Sequence, residues 1–285
     1  MSEMGFFDAY FLWRNAMAAA VVAAALCGYL GVFIVLRRMA FVSAALSQVS
    51  GLGVALSFFL GSFLGVDPHG ENVPWYVSPV FLALVLSCTA AVLLAWPVRR
   101  RRAHTETLVA LAYLVASSAV VLVLSSPRIV QEAHEVGELL FGSAVAVREQ
   151  NLVALAAAAV LVAGAHAVLF KDFVFVSFDA ATAAAVGYPV VRLNVVLNLT
   201  IAVVVAMATR ALGTLPVFAF LVLPAGAALL ATRGLRSAAV LSVGIAIVSA
   251  VFGYYLSFVY ELPTGPTMAA LCALAWIPAG IARRK

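Results

Sequence analysis

Long apolar runs separated by short polar connections constrain this chain more than any other feature. A helix needs about 20 apolar residues to cross the hydrocarbon core of a bilayer. Runs of that order occupy about 12–36, 43–65, 75–98, 107–125, 150–170, 190–209, 213–232, 237–259 and 265–282. In lipid every backbone polar group must be satisfied within the segment, so such runs are helices. Composition agrees: 65% of residues are hydrophobic and 10% charged, against roughly half and a quarter in soluble domains. The expected fold class is an all-α membrane protein, a polytopic bundle of about nine transmembrane helices. Residues 1–285 read as a single transmembrane domain. The first run begins near Phe11 and is too long for a signal-peptide core, so it reads as a retained span. The seventh is the weakest, since it is short and holds Pro216 and Pro224. It is expected to be a full span or a broken, re-entrant one.

The net charge of +5 does not signal nucleic acid. The basic residues cluster at the ends of apolar runs, and no basic face with interleaved aromatics exists. Assigning alternate connections to two sides puts 13 Lys and Arg on one side and 4 on the other. The positive-inside rule then places the C-terminus in the cytoplasm and the N-terminus outside. An error of one span would destroy the asymmetry. Arg99 to Arg102 mark the inside in this reading.

Two outer connections are rich in acids and histidines. The first carries Asp67, His69 and Glu71; the second carries Glu132, His134, Glu135 and Glu138, with a short surface helix expected over 137–147. His134 and Glu138 have the four-residue spacing of a helical ligand pair. An exposed acidic loop is the competing reading. Inside, 171–189 is the one long connection. Asp179 looks like an N-cap, Ala180 to Val186 form a good helix, and Gly187 with Pro189 ends it. A short helix at the cytoplasmic surface is expected. Thr105 reads as the N-cap of the fourth span, with Glu106 beside it.

Small residues such as Gly51, Gly53, Ala55, Gly61 and Gly65 suit close helix approach in lipid. Cys27, Cys88 and Cys272 show neither metal spacing nor a disulfide pattern and read as packing residues. There is no G-x-x-x-x-G-K-[ST] run, and no nucleophile–base or paired-carboxylate arrangement stands out. If ATP drives this protein, a partner supplies the nucleotide site.

Five segments in order resemble the permease subunits of bacterial zinc- and manganese-type ABC importers. They are VFIVLRRMAFVSAALS (32–47), LLFGSAVAV (139–147), SFDAATAAAVGYPV (177–190), VFAFLVLPAGAALLA (217–231) and ELPTGP (261–266). The resemblance implies a single transmembrane permease domain in a bacterial inner membrane, a transport subunit without catalysis or cofactor of its own. It implies a second permease copy or homologue forming a dimer, cytoplasmic ABC ATPase subunits, and an extracytoplasmic solute-binding protein. Asp179, Ala183 and Gly187 fall on matching positions of the family's coupling helix, which receives the ATPase.

The chain departs from that family in its second span. The family usually carries an aspartate and, four residues on, a histidine, near a proline–glycine pair. Here those positions hold Ala44, Gln48, Leu52 and Gly53. Ser43, Ser47, Gln48 and Ser50 remain as candidate pathway-lining residues, with helix–helix hydrogen bonding as the equal alternative. Asn194 and Asn198 form a second polar stripe, better read as helix–helix hydrogen bonding. His166 reads as a packing or interfacial histidine near the cytoplasmic end of the fifth span. Glu261 reads as a turn residue.

The function expected is the permease of an importer for a divalent metal, zinc or manganese, or for a metal chelate. The alternatives are a permease-fold scaffold or sensor that has lost transport, and an importer of a non-metal cargo. An ion-driven secondary transporter would need mid-span acids or bases, and none is found.

Overall fold

In the computed structural model, residues 10–66, 74–95, 102–126 and 147–282 are described. The helices are α1 (Tyr10–Leu36), α2 (Ala40–Leu64), α3 (Pro79–Ala95), α4 (Arg102–Leu124), α5 (Glu149–Phe178), α6 (Ala180–Ala185), α7 (Val190–Leu212), α8 (Thr214–Ala231), α9 (Leu235–Tyr260), α10 (Thr264–Leu274) and α11 (Trp276–Ala282). Among the described residues, eight segments are long and apolar enough to cross a membrane, α10 and α11 forming one of them together. α3 is a shorter ninth apolar helix. Every expected span therefore has its helix.

α1 is the central element. Its alanine face, Ala16, Ala19, Ala20, Ala23 and Ala24, is fully buried, and it packs against α5, α7, α8 and α9. Backbones meet closely where side chains vanish. A Cβ on Gly31 would lie 2.2 Å from the Leu221 carbonyl oxygen on α8. Ser242 Oγ on α9 donates to the Gly28 carbonyl at 2.7 Å. Helices in lipid gain little from apolar burial alone, so close packing and such hydrogen bonds hold them together. α2, α3 and α4 form a second group, joined to the first through α7 and α8.

The structure corrects several boundaries. The seventh span is not broken: α8 is continuous over 18 residues with Pro224 inside it. Pro216 falls in its first turn, where a missing N–H costs nothing. α7 and α8 are joined by Gly213 alone, at φ 92°. The fifth span does not end near 170. α5 runs 30 residues to Phe178, about 45 Å at 1.5 Å per residue, so most of the expected inner connection is helix. His166 accordingly sits well inside α5. α4 begins at Arg102, which puts Thr105 within the helix rather than at its cap. The last span is interrupted at Ala275, where the Trp276 indole lies over Gly226 and donates to the Leu223 carbonyl at 3.0 Å.

Candidate functional site

The short helix expected between the fifth and sixth spans is present and tightly specified. Asp179 accepts from the Thr182 backbone N–H at 2.9 Å and from its hydroxyl. These bonds hold the Asp179 carboxyl below its ordinary pKa, because they favour the charged form. At the other end, Tyr188 N–H donates to Ala183 O at 2.9 Å and Gly187 N–H to Ala184 O at 3.1 Å. That pair of bonds is a Schellman motif, and it requires the left-handed residue that Gly187 provides at φ 93°. Ala183 is fully buried, whereas Val186 is exposed. The Phe175 and Tyr188 rings meet edge to face at 5.2 Å. α6 is thus a short, two-ended, rigidly backed helix, with the rest of its surface exposed.

The polar cluster at the start of α2 divides. Ser43, Ser47 and Ser50 are buried within the chain. Ser43 Oγ donates to Ala40 O at 2.7 Å, and Ser47 Oγ to Ser43 O at 3.0 Å. Ser50 Oγ has no partner among the described residues. These three serines face the protein interior rather than an open surface. Gln48 is half-exposed and shares a face with Phe41, Leu52, Phe59 and Phe63, positions that recur at helical spacing. Ala44 lies at the edge of this stripe, 8% exposed. Gln48 is therefore the polar residue of the cluster that lies on the accessible face of α2.

The other histidine and acidic candidates separate. His166 is buried among Tyr29, Phe33 and Phe173, with ring centroids at 5.4, 5.7 and 4.7 Å. Its Nε2 pairs with Thr200 Oγ1 at 3.0 Å, and Nδ1 has no partner among the described residues. Asp67, His69, Glu71, Glu132, His134, Glu135 and Glu138 lie outside the described residues, as do Arg99 to Arg101 and most of 139–147. Among the described residues no three His, Cys, Asp or Glu side chains gather into a metal-binding group. Glu261 is the left-handed cap of α9, at φ 54°. Cys27 and Cys272 are buried free thiols and Cys88 is half-buried.

Sequence reasoning missed one residue. Arg37 reads as a topology mark, yet its guanidinium is half-buried and makes three contacts on two other helices. Nε donates to Ser177 Oγ at 2.8 Å, one terminal nitrogen to Asn194 Oδ1, and the other to the Phe173 carbonyl at 3.3 Å. Asn194, expected to hydrogen-bond between helices, is one of its acceptors. Asn198, one turn on, is buried, and its side-chain oxygen has no partner among the described residues. The signal was available in principle: Arg37 and Arg38 follow an apolar run directly, and a long side chain there can turn back into the bundle.

Eight segments long and apolar enough to cross a bilayer, with a capped surface helix at one end, make this a multi-pass membrane protein. The chain belongs to the ABC 3 transport family, whose profile matches residues 9–283. It is 26% identical to the manganese transport system membrane protein MntC of Listeria monocytogenes, over 93% of this chain and 88% of that one. It is 24% identical to the manganese import system permease protein ScaB of Streptococcus gordonii, over 96% and 91% of the two chains. Its fold is that of PsaBC from Streptococcus pneumoniae, solved in complex with a Fab, with a TM-score of 0.81 at 22% identity over 98% of this chain and 96% of that one.

Proposed function

We propose that this chain is the membrane permease of an ATP-driven importer, and that its cargo is a divalent metal ion, manganese before zinc, or a metal chelate. The observation that carries the coupling half of this reading is α6, capped at both ends and presented outward between α5 and α7. A rigid surface helix fixed to two long helices converts a push from a motor into rigid-body movement of the bundle. Asp179, Ala183 and Gly187 act in this reading as cap, buried anchor and terminator of the helix that cytoplasmic ATPase subunits grip. The manganese systems named for its relatives support the cargo. Two permease chains pair, with Gln48 and its stripe toward the shared pathway, and a solute-binding protein delivers cargo at the outer end. The charge asymmetry supports a cytoplasmic C-terminus and an outer N-terminus in the bacterial inner membrane.

Ala44 and Gln48 shape the cargo reading. Neither offers the carboxylate or imidazole that first-row divalent metals prefer. A homodimeric pathway would therefore hold the ion weakly at this level, through amide oxygen and water. The same observation favours a second reading, in which the chain works with a homologous partner permease that supplies the ligands, or has become a scaffold.

The test is to co-express the chain with candidate ABC ATPase and solute-binding protein partners, purify what assembles and reconstitute it in liposomes. ATP-dependent manganese uptake is expected, and it should be lost in Asp179→Ala and Gly187→Pro while the bundle stays folded. Assembly without uptake of any metal in a panel refutes the metal cargo. Unchanged uptake in both α6 variants refutes the coupling assignment.

A further inference from the structure

Positive charge beside a cytoplasmic helix end is ordinarily solvated, and the neighbouring Arg38 is exposed in this way. Arg37 is not. Its planar guanidinium reaches three acceptors that lie on α5 (Ser177 Oγ and the Phe173 carbonyl) and on α7 (Asn194 Oδ1). Ser177 itself donates to the Phe173 carbonyl, so its hydroxyl is held in place to receive Arg37. Those two helices are the ones that flank α6: Ser177 stands two residues before Asp179, and Asn194 seven residues after Gly187. On its own side Arg37 opens the corner between α1 and α2. α1 ends in a Schellman turn, with Met39 N–H donating to Ile34 O at 2.8 Å and Arg38 left-handed at φ 58°. Only Arg37, Arg38 and Met39 separate α1 from Ala40, where α2 starts.

We propose that Arg37 is a positioning residue for transport: it pins the roots of α6 to the α1–α2 corner, so that displacement of α6 reaches α2 and its Gln48 stripe. This rests on the reading of α6 as the coupling helix. The physical case is one of stiffness. Without Arg37, the α1–α2 corner meets the α5 and α7 ends through apolar contacts, among them Ile34, Phe173 and Leu193 in the common core, and these can slide. Three charge-assisted hydrogen bonds in a fixed fork resist both sliding and rotation. A lysine has the charge but a single rotating donor centre, so it cannot hold α5 and α7 in one geometry. The burial of Arg37 lowers its pKa only to about 10, so the clamp stays charged at neutral pH.

The experiment measures manganese taken up per ATP hydrolysed by the reconstituted complex. The variants are Arg37→Lys, Arg37→Gln and Asn194→Ala combined with Ser177→Ala, with Asp179→Ala as the reference for α6. Thermal stability and ATPase copurification are read on the same samples. The expected result is retained assembly and ATP hydrolysis, with uptake per ATP lower by about fivefold or more, the scale of an ordinary inter-site coupling. The double variant keeps the arginine and removes two side-chain acceptors, so it decides the matter if Arg37→Gln fails to fold. If Asp179→Ala uncouples while the double variant and Arg37→Lys keep the wild-type ratio, the Arg37 assignment is overturned and the α6 reading stands. If Asp179→Ala also leaves the ratio unchanged, the α6 reading falls. A loss of uptake that follows a loss of assembly and hydrolysis in equal proportion assigns Arg37 to folding alone, and that also overturns the proposal.

Discussion

At Gly53 the backbones of α2 and α3 approach closely, and Gly53→Ala tests that approach. A methyl group there would lie 2.5 Å from Ala83 Cα, 2.7 Å from Ala83 N and 2.8 Å from the Leu82 carbonyl oxygen. All three are backbone atoms of α3, so no rotamer change relieves the contact. Carbon atoms prefer separations of about 3.5–4.0 Å, and α2 and α3 must part by about 1 Å. The seam they share holds Val54, Ala55, Phe58 and Ala83, all buried, and the 2.6 Å bond from Ser57 Oγ to the Val77 carbonyl. A gap of that size forfeits roughly a quarter to a half of each dispersion contact across it. Over-packing of this kind costs about 1–3 kcal/mol. Alanine returns at most about 1 kcal/mol of helix propensity. With that return in full, a net loss of about 1 kcal/mol is expected, from the middle of the over-packing range. Gly164 is the control, since a Cβ there meets nothing within 4 Å; Gly164→Ala should be neutral or stabilising. Thermal unfolding of the three proteins in nanodiscs should rank Gly53→Ala below wild type and Gly164→Ala at or above it. A Gly53→Ala protein as stable as the Gly164→Ala control would refute the close α2–α3 approach. Uptake should fall as well, because Gln48 lies about one and a half turns from Gly53 on the same helix.

Other consequences are open to measurement. Arg38 holds a left-handed conformation at φ 58°, which costs a non-glycine residue about 1 kcal/mol, so Arg38→Gly should raise the unfolding temperature; a decrease would show that the side chain matters more than the turn. Arg210 buries Nε and one terminal nitrogen without a hydrogen-bond partner among the described residues, and Arg210→Met should stabilise the isolated chain by about 1–3 kcal/mol; a loss of stability would refute the cost assigned to the buried guanidinium. The Asp179 cap has a carboxyl whose folded pKa is lowered, so its contribution is complete above the unfolded value near 3.9 and disappears as pH falls through the folded one. A spin label at Ala181 should therefore stay immobile from about pH 8 to 5 and loosen only in stronger acid. Mobility that changes between pH 5 and 7 would mean that another group holds the helix.

How much was legible in the chain depends on the range of the forces involved. The spans, the α6 helix and its two ends could be read because each depends on local chemistry: about 20 apolar residues must be helical in lipid, an aspartate caps the helix that starts beside it, and a glycine allows the left-handed turn after Val186. Family membership was legible for a related reason, since the motifs that carry it lie in these short, locally constrained segments. Helix lengths were less legible. α5 continues from 170 to Phe178 because Phe173 and Val176 are buried against other helices, and no pattern within that segment states that their partners exist. The tertiary structure alone decided which polar residues meet. It turned Ser43, Ser47 and Ser50 inward and left Gln48 on the open face, a choice fixed by how α3, α4, α7 and α8 surround α2. It also carried Arg37 to residues 136, 140 and 157 positions away in sequence. A hydrogen bond across that separation is specified by the packing of whole helices, which no local reading of an arginine beside an apolar run contains.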